Sequence, residues 1–156
     1  MREKSNSSQA HLSDGVVDSY VRDSRPLVLL VEDSPDTREL YAEILRMSGF
    51  RVATAETGFE AVVKASCLVP DVILMDLSLP GIDGWEATRL IKQSPPTMKV
   101  PIVAFTAYAQ PEYLERARDA GCCSILTKPC VPETVVGSIN AAILPARQRF
   151  LDPASP

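Results

Sequence analysis

Polar side chains follow four short apolar runs of this chain, at the point where each run ends. They are Glu32, Asp33, Asp76, Thr106 and Lys128, and the runs are 27–31, 72–75, 102–105 and 125–126. An open parallel sheet gathers the carboxyl ends of its strands along one edge, where a ligand can bind. Three acids, a hydroxyl and an ammonium would then share one cleft. Because closely packed like charges resist ionising together, the acids need a cation beyond the single lysine, and a divalent metal is the simplest one.

Asp76 is the candidate for the reactive group of this cleft. A carboxylate can attack phosphorus as a nucleophile and form an acyl phosphate, and Asp76 directly follows the continuous apolar run 72–75. Phosphoryl transfer requires neutralisation of the negative charge on the phosphoryl oxygens. Mg²⁺ does this with oxygen ligands in octahedral geometry, and carboxylates are among the ligands that it takes.

The elements that must position these residues are short strands alternating with amphipathic helices. The continuous apolar run 27–31 predicts a strand buried on both faces. A helix start is favoured by the three residues after the loop acids. Ser34 can cap the helix, Pro35 suits its first turn, and the charge of Asp36 favours the positive end of the helix dipole. The same alternation predicts strands at 27–31, 51–54, 72–76, 101–106 and 124–127, each followed by a helix. Five β-then-α units predict a parallel sheet with helices on both faces, because right-handed crossovers place them there.

Several apolar side chains of the predicted helices are expected to lie in the core. They are Trp85, Tyr113, the Leu40 and Ile44 stripe of the first helix, and Val135, Val136 and Ile139 of the last. Tyr108, two residues past Thr106, is expected at the rim of the cleft instead.

Composition and charge exclude several classes of protein. Hydrophobic residues make up 46% of the chain and charged residues 23%, which is ordinary for a globular protein. The apolar runs are far shorter than the roughly 20 residues of a membrane span, and the N-terminus MREKSNSSQA lacks an apolar signal segment. A cytoplasmic location and no membrane partner are therefore expected. The net charge of −4 does not suggest nucleic-acid binding, which usually needs a clustered basic face.

The four cysteines do not predict a metal site. Cys67, Cys122, Cys123 and Cys130 form no pair of C-x-x-C motifs, and His11 is the one histidine of the chain. A zinc site is therefore not expected. Free thiols, buried or partly buried, are the better interpretation in a cytosolic protein.

The ends of the chain are expected to lie outside the folded domain. Residues 1–25 are rich in Ser and Asp without a sustained period, which predicts a flexible N-terminal extension. Pro145, Pro153 and Pro156 interrupt a polar run, so the last helix is expected to span 132–144. Residues 26–144 would then form one domain and residues 145–156 a short C-terminal tail.

The polar residues of the cleft, in this order, resemble the receiver domain of two-component response regulators. The resemblance is carried by Glu32-Asp33, Asp76 with Pro80-Gly81 and Asp83-Gly84 after it, Thr106-Ala107, and Lys128-Pro129. It covers nearly the whole predicted core. It implies an α/β fold of the flavodoxin-like (βα)5 type, a three-layer sandwich whose five-stranded parallel sheet has the order 2-1-3-4-5.

The resemblance also implies roles for the acids of the cleft. Asp76 would be the phosphoacceptor. Asp33 and Asp76 would bind Mg²⁺ directly, and Glu32 would act through water or as a further ligand. The backbone carbonyl of Ser78 would complete the protein's share of the ligands. The side chains of Ser78 and Tyr108 occupy positions that, in the family, tune the lifetime of the phosphate.

Lys128 and Thr106 would act on the phosphoryl group. By resemblance, Lys128 pairs with Asp76 before the reaction and with a phosphoryl oxygen after it. Thr106 would donate a hydrogen bond to another phosphoryl oxygen. Because that bond exists only in the phosphorylated form, it can shift an equilibrium between two loop conformations. The Lys128-Pro129 peptide resembles one that is cis in the family.

Two positions depart from the family pattern. Three residues before the lysine, the family usually has an aromatic side chain whose rotamer reports phosphorylation, and this chain has Ile125. The residue after Lys-Pro is often Phe, and here it is Cys130. The departures concern the downstream aromatic coupling of Thr106, for which Tyr108 is the candidate substitute, and leave the phosphorylation chemistry intact.

The function that the sequence favours is that of a stand-alone receiver. It would accept a phosphoryl group from a histidine kinase or a histidine phosphotransfer protein, and act as a switch rather than as a turnover enzyme. Output would occur by contact with an unknown downstream protein, through the face formed by residues 110–144.

Three other functions are compatible with parts of the sequence but fit it less well. A receiver-like module that binds a partner without being phosphorylated is the main alternative, weakly favoured by Ile125. An aspartyl phosphatase would need a second Asp two residues after the nucleophile, where this chain has Ser78. Nucleotide binding is not expected, because the chain has neither G-x-G-x-x-G after a strand nor G-x-x-x-x-G-K-[ST].

Overall fold

The computed structural model describes residues 23–151 and the side chains of residues 23–145. Strands and helices alternate strictly along this range. They are β1 Leu27–Val31, α1 Pro35–Met47, β2 Arg51–Ala55, α2 Gly58–Leu68, β3 Val72–Met75, α3 Gly84–Gln93, β4 Ile102–Thr106, α4 Pro111–Ala120, β5 Ser124–Thr127 and α5 Pro132–Leu151. The predicted N-terminal extension, apart from residues 23–25, and the last five residues of the predicted tail lie outside the described residues.

The sheet is parallel throughout and has the order β2-β1-β3-β4-β5. This confirms the predicted fold class and strand order. All residues of β3 and β4 are buried, and so are all but the first residue of β1. Two separate apolar clusters cover the two faces of the sheet. Continuous apolar runs suit such central strands, because helices exclude water from both sides of them.

The register of the central strands brings their carboxyl ends to the same level. Val31 pairs with Met75, and Met75 pairs with Ala104 on the other side. The residues that follow β1 and β3 are therefore neighbours at one edge of the sheet. We call this the carboxyl edge, and the opposite end of the strands the amino edge.

Side-chain caps fix the helices that begin near the carboxyl edge. The Ser34 hydroxyl accepts a hydrogen bond from the Thr37 amide at 3.4 Å, which confirms the predicted start of α1. An Asp83 carboxylate oxygen accepts one from the Glu86 amide at 2.8 Å and caps α3. Each cap satisfies an amide that has no partner inside its helix.

Gly84 allows α3 to begin directly against the end of β3. A Cβ at this position would overlap the carbonyl oxygen of Asp76 and the Cα of Leu77. A glycine is therefore required for this close approach of two backbone segments. The contact holds the backbone of Asp76 at a fixed distance from the start of α3.

The predicted core stripe of α1 was wrong at Leu40. Leu40 is 58% exposed and Met47 is 80% exposed, while Ala42 and Leu45 are fully buried. Apolar residues occur at helical spacing on two faces of α1, so periodicity alone does not choose between them. The smaller face, with Ala42, packs against the sheet. Elsewhere the core predictions are confirmed for Trp85, which is 5% exposed, and for the fully buried Val135 and Ile139.

Helix α5 is longer than predicted, because it continues past residue 144 to Leu151 with Pro145 inside it. Proline removes one amide donor and crowds the carbonyl four residues earlier, but its fixed φ is itself close to the helical value. The predicted domain boundary at residue 144 therefore does not coincide with the end of the last helix. Of the helices described, none has the length and apolar character to cross a membrane.

Candidate functional site

The carboxyl edge brings three acids together. One carboxylate oxygen from each of Glu32, Asp33 and Asp76 lies within 4.8 Å of the others. Glu32 is 3% exposed and Asp76 is 4% exposed, whereas Asp33 is exposed. We call these residues the acidic cluster. Oxygen donors gathered in this way suit a hard divalent cation, and the open side at Asp33 leaves room for the waters that Mg²⁺ usually keeps.

The Asp76 carboxylate is held in place by the chain that follows it. The amide of Ser78 donates to Asp76 Oδ1 at 2.9 Å. Burial raises the pKa of Asp76 to about 6, against the effects of this hydrogen bond and of the nearby Lys128 ammonium. The charges of the other two acids of the cluster contribute to the same rise in pKa. The ionised form of Asp76 is thus costly in this setting, and an additional cation would favour it.

Lys128 lies closer to Glu32 than to Asp76. Its Nζ is 2.5 Å from Glu32 Oε2 and 3.5 Å from Asp76 Oδ2. The ammonium also lies 4.8 Å from the centre of the Phe105 ring. The resemblance implied an ion pair between Lys128 and Asp76, and the structure adds the shorter contact between Lys128 and Glu32. One ammonium therefore serves two buried carboxylates. The Lys128-Pro129 peptide bond is cis, as the resemblance implied.

Thr106 ends β4 at the same edge and is fully buried. Its Oγ1 accepts a hydrogen bond from the Tyr108 amide at 3.0 Å. The Lys128 amide donates to the Thr106 carbonyl at 2.8 Å, so the β4 and β5 ends are joined here. A rotation of the Thr106 side chain would break the hydrogen bond to the Tyr108 amide at the start of the loop that carries Tyr108.

Ser78 and Tyr108 face each other across the rim. The Ser78 hydroxyl and the Tyr108 phenol are 3.5 Å apart. This places Tyr108 at the rim, as expected. The amide of Ser78 binds Asp76, while the role of its carbonyl as a metal ligand stays a prediction.

Tyr108 continues into a group of three aromatic rings, which we call the aromatic cluster: Trp85, Tyr108 and Tyr113. The Tyr108 ring lies 5.9 Å from that of Trp85 and 4.9 Å from that of Tyr113. The Arg116 guanidinium lies 4.3 Å from the centre of the Trp85 ring. The cluster thus links the loop after Thr106 to α3 and α4. Sequence analysis identified the three residues separately but not their contact.

Arg38 is a residue that sequence reasoning missed. Its Nη1 donates to the Glu32 carbonyl at 2.9 Å and lies 3.3 Å from the Asp33 carbonyl, and its Nη2 lies 3.0 Å from Glu56 Oε1. The Arg38 side chain is only 15% exposed. A planar guanidinium can hold several acceptors at fixed angles. Arg38 therefore fixes the backbone of the loop that carries two of the acids. Its position four residues after the Ser34 cap was the available signal.

Comparison with protein families gives one match that covers most of the chain. The model of the response regulator receiver domain matches residues 28–140. The chain is 34% identical over 116 residues to protein PilH of Pseudomonas aeruginosa, covering 74% of this chain and 96% of PilH. It is 34% identical over 102 residues to the polar-differentiation response regulator DivK of Brucella ovis, covering 65% of this chain and 83% of DivK.

Solved structures show the same architecture. The receiver domain of the sensor histidine kinase PA1611 from Pseudomonas aeruginosa was crystallised with a magnesium ion coordinated in its active-site cleft. It superimposes with a TM-score of 0.73 at 35% identity, covering 77% of this chain and 98% of that one. The Vibrio cholerae chemotaxis protein CheY4 gives a TM-score of 0.73 at 29% identity, with 76% and 99% covered.

Proposed function

This chain belongs to the response regulator receiver domain family of two-component signalling, and we propose that it is a switch that accepts a phosphoryl group on Asp76 in a Mg²⁺-dependent reaction. One observation carries the proposal. The buried Asp76 carboxylate lies among two further acids and within 3.5 Å of the Lys128 ammonium. This arrangement combines a nucleophile with the charges that phosphoryl transfer requires.

The proposed reaction uses Asp76 as the nucleophile. The carboxylate oxygen that does not accept from the Ser78 amide is Oδ2, and it attacks the phosphorus of a phosphohistidine on a partner protein. The new P–O bond forms as the P–N bond breaks, and the imidazole nitrogen keeps the electron pair of the broken bond. The hydrogen bond from Ser78 holds Oδ1 meanwhile, so the carboxylate keeps its orientation.

The acidic cluster is the proposed metal site. Asp33 and Asp76 would hold Mg²⁺ directly, with Glu32 acting through water and the Ser78 carbonyl as a further ligand. Bound Mg²⁺ would neutralise negative charge on the phosphoryl oxygens. In PA1611 the cleft of the receiver domain holds a magnesium ion, which supports this assignment by analogy.

Lys128 has a second partner available when Asp76 reacts. Its ammonium contacts both Glu32 and Asp76 before phosphorylation. Once Asp76 is an acyl phosphate, its carboxyl group no longer carries the charge that attracts the lysine, and a phosphoryl oxygen does. The flexible stem of lysine allows the small movement that this exchange needs.

Thr106 and the aromatic cluster are the proposed switch. The Thr106 side chain would rotate to bring its hydroxyl to a phosphoryl oxygen, and this rotation would break the hydrogen bond that it accepts from the Tyr108 amide. The Tyr108 ring then loses its fixed position against Trp85. Tyr108 would in this way replace the aromatic side chain that the family usually carries at the position of Ile125.

The proposed partners follow from the reaction. A sensor histidine kinase or a histidine phosphotransfer protein would supply the phosphoryl group, and a downstream protein would read the switched surface. The chain would turn over no substrate of its own. Residues 26–144 would form the receiver unit, with residues 1–25 before it and the end of α5 and a short tail after it, and the cytoplasm would be its location.

Intact mass spectrometry tests the proposal. The protein is incubated with Mg²⁺ and acetyl phosphate, and the expected result is one added phosphate. Asp76→Asn should add none, while the matched variant Asp119→Asn, which changes an exposed acid of α4, should behave as wild type. Omission of Mg²⁺ should also prevent the addition.

Two results would count against the proposal. If the wild type gained no phosphate, the chain would instead be a receiver-like module that binds its partner without phosphorylation. If Asp76→Asn gained as much phosphate as the wild type, the acceptor would be another residue.

A further inference from the structure

A cavity of about 420 Å³ lies at the amino edge of the sheet, on the side of β5. It is bounded by the starts of β4 and β5, the end of α3 and the second half of α5. Its volume falls within the range of small-molecule sites, roughly 300–1,000 Å³. It shares no residue with the carboxyl edge.

Two lysines line this cavity without a carboxylate. Lys92 and Lys99 are among its lining residues, and no Asp or Glu is. Among the side chains of residues 23–145, neither lysine forms an ion pair. We call this space the basic cavity. Its charge is opposite to that of the acidic cluster, in a chain whose net charge is −4.

The Lys92 ammonium is held in a fixed position. It donates to the Val100 carbonyl at 2.6 Å and to the Met98 carbonyl at 3.4 Å. Its aliphatic stem lies over Gly121, where a Cβ would come within 2.8 Å of the lysine Cγ. An ammonium has three N–H donors, so one remains for a ligand. Burial lowers the pKa of Lys92, against the effects of the Cys123 and Cys122 thiols.

Ser124 supplies an unused polar group to the same wall. Its hydroxyl is buried and, among the described residues, has no hydrogen-bond partner. It is also one of the residues that line the basic cavity. Buried polar side-chain atoms in folded proteins are normally bonded, and an exception requires a partner that completes it.

From the two lysines, the unpaired hydroxyl and the apolar wall between them, we propose that the basic cavity binds a small organic anion, a carboxylate or a phosphate monoester with an apolar group. The anionic end contacts Lys92 and Lys99. It also accepts from the Ser124 hydroxyl, which is buried without ligand and reaches the cavity by rotation about its Cα–Cβ bond. The apolar end contacts Pro101 and Ala142 on the facing walls. A free inorganic ion would leave this apolar surface uncovered, so the ligand needs both parts.

Amide NMR of the full chain tests this inference. Phenyl phosphate and benzoate are titrated in separate arms, which distinguish the two kinds of anion. We expect saturable shifts at the amides of Lys92, Lys99 and Ser124, with a Kd in the millimolar range or below. Benzyl alcohol, which lacks the charge, and inorganic phosphate, which lacks the apolar group, should each bind at least about tenfold more weakly.

Variants separate a binding role from a structural one. Lys99→Met and Ser124→Ala should each lower the affinity for the more tightly bound of the two anions by about tenfold, because each removes one polar contact to the ligand. Lys64→Met removes a charge from α2, beside the opposite edge strand, and should leave the affinity unchanged. Lys92 is left intact because it also holds the carbonyls before β4.

Three results would overturn the inference. They are the absence of saturable shifts with either anion, equal binding of benzyl alcohol, and unchanged affinity in both Lys99→Met and Ser124→Ala. Phosphorylation of Asp76 is measured in a separate experiment, so a failure of anion binding and a failure of phosphorylation can be told apart.

Discussion

The two edges of one sheet carry opposite charges and satisfy their polar groups differently. At the carboxyl edge, one lysine pairs with two of the three acids, and Glu32, Asp76 and Thr106 all have hydrogen-bond partners or ion pairs. At the amino edge, the basic cavity has two lysines, no acid among its lining residues and one unbonded hydroxyl. The strands β3 and β4 between the edges are buried throughout. The loops therefore determine the chemistry of each edge, and one edge can change without the other.

The largest expected difference concerns the lysines of the two edges. Lys128→Met leaves the buried Glu32 carboxylate without its cation and should lower the free energy of unfolding by about 3 kcal/mol. Lys99→Met removes an ammonium that has no carboxylate partner within residues 23–145 and should change it by less than about 0.5 kcal/mol. Urea unfolding of both variants measures the difference. Added Mg²⁺ should recover part of the loss in Lys128→Met, and equal losses in both variants would remove the contrast.

Glycine substitutions test how closely the backbone is packed near each edge. Gly84→Ala places a Cβ on the Asp76 carbonyl oxygen and should destabilise the fold by about 2 kcal/mol. Gly137→Ala is the matched change in α5, where nothing lies within 4 Å of the new Cβ, and it should stabilise by up to about 1 kcal/mol. Thermal unfolding distinguishes the two signs. A neutral Gly84→Ala would mean that α3 can move away from β3 at no cost.

Arg38 allows the acidic cluster to be weakened without removing an acid. Arg38→Met should lower the affinity for Mg²⁺ about tenfold, because residues that orient metal ligands usually contribute that much or more. Arg38→Lys should recover only part of it, since an ammonium cannot span the same acceptors. Calorimetric titration with Mg²⁺ gives the affinities. Arg46→Met, on the exposed surface of the same helix, is the control, and a similar loss there would assign the effect to α1 as a whole.

The smallest effect concerns hydroxyl groups near the amino edge. Ser124→Ala removes a buried hydroxyl without a partner among the described residues, so without ligand it should be neutral or stabilise by a few tenths of a kcal/mol. Thr97→Val removes a buried hydroxyl that donates to the Ile91 carbonyl at 2.7 Å, and should destabilise by about 1 kcal/mol. Chemical unfolding compares them. If Ser124→Ala lowered the free energy of unfolding as much as Thr97→Val does, the Ser124 hydroxyl would have a hydrogen-bond partner in solution.

The sequence was sufficient to predict the fold because its strands are continuous apolar runs. Such runs indicate burial on both faces, and parallel strands then place the residue after each run at a common edge. This is why Glu32, Asp33 and Asp76 could be expected together before any coordinates. The strand order came from the resemblance to receiver domains, because apolar patterns do not by themselves say which strands are neighbours.

The remaining features depend on three-dimensional choices that local patterns do not encode. Which face of α1 is buried was decided by the fit of Ala42 and Leu45 against the sheet, not by the larger stripe at Leu40. The partner of Lys128 depends on distances of a few ångströms between two acids at one edge. Arg38 joins two loops through the Glu32 and Asp33 carbonyls and the Glu56 carboxylate, and its position after the Ser34 cap does not specify these partners. Pro145 usually indicates a helix end, but α5 continues through it.

The aromatic cluster has a practical consequence for the study of this protein. Trp85 is the single tryptophan of the chain, and its ring stacks on the Tyr108 ring, two residues beyond Thr106. Indole emission depends on the polarity and the quenching groups around the ring. Any rearrangement of the loop after Thr106 would therefore change the intrinsic fluorescence, so the unlabelled protein carries its own optical reporter of the proposed switch.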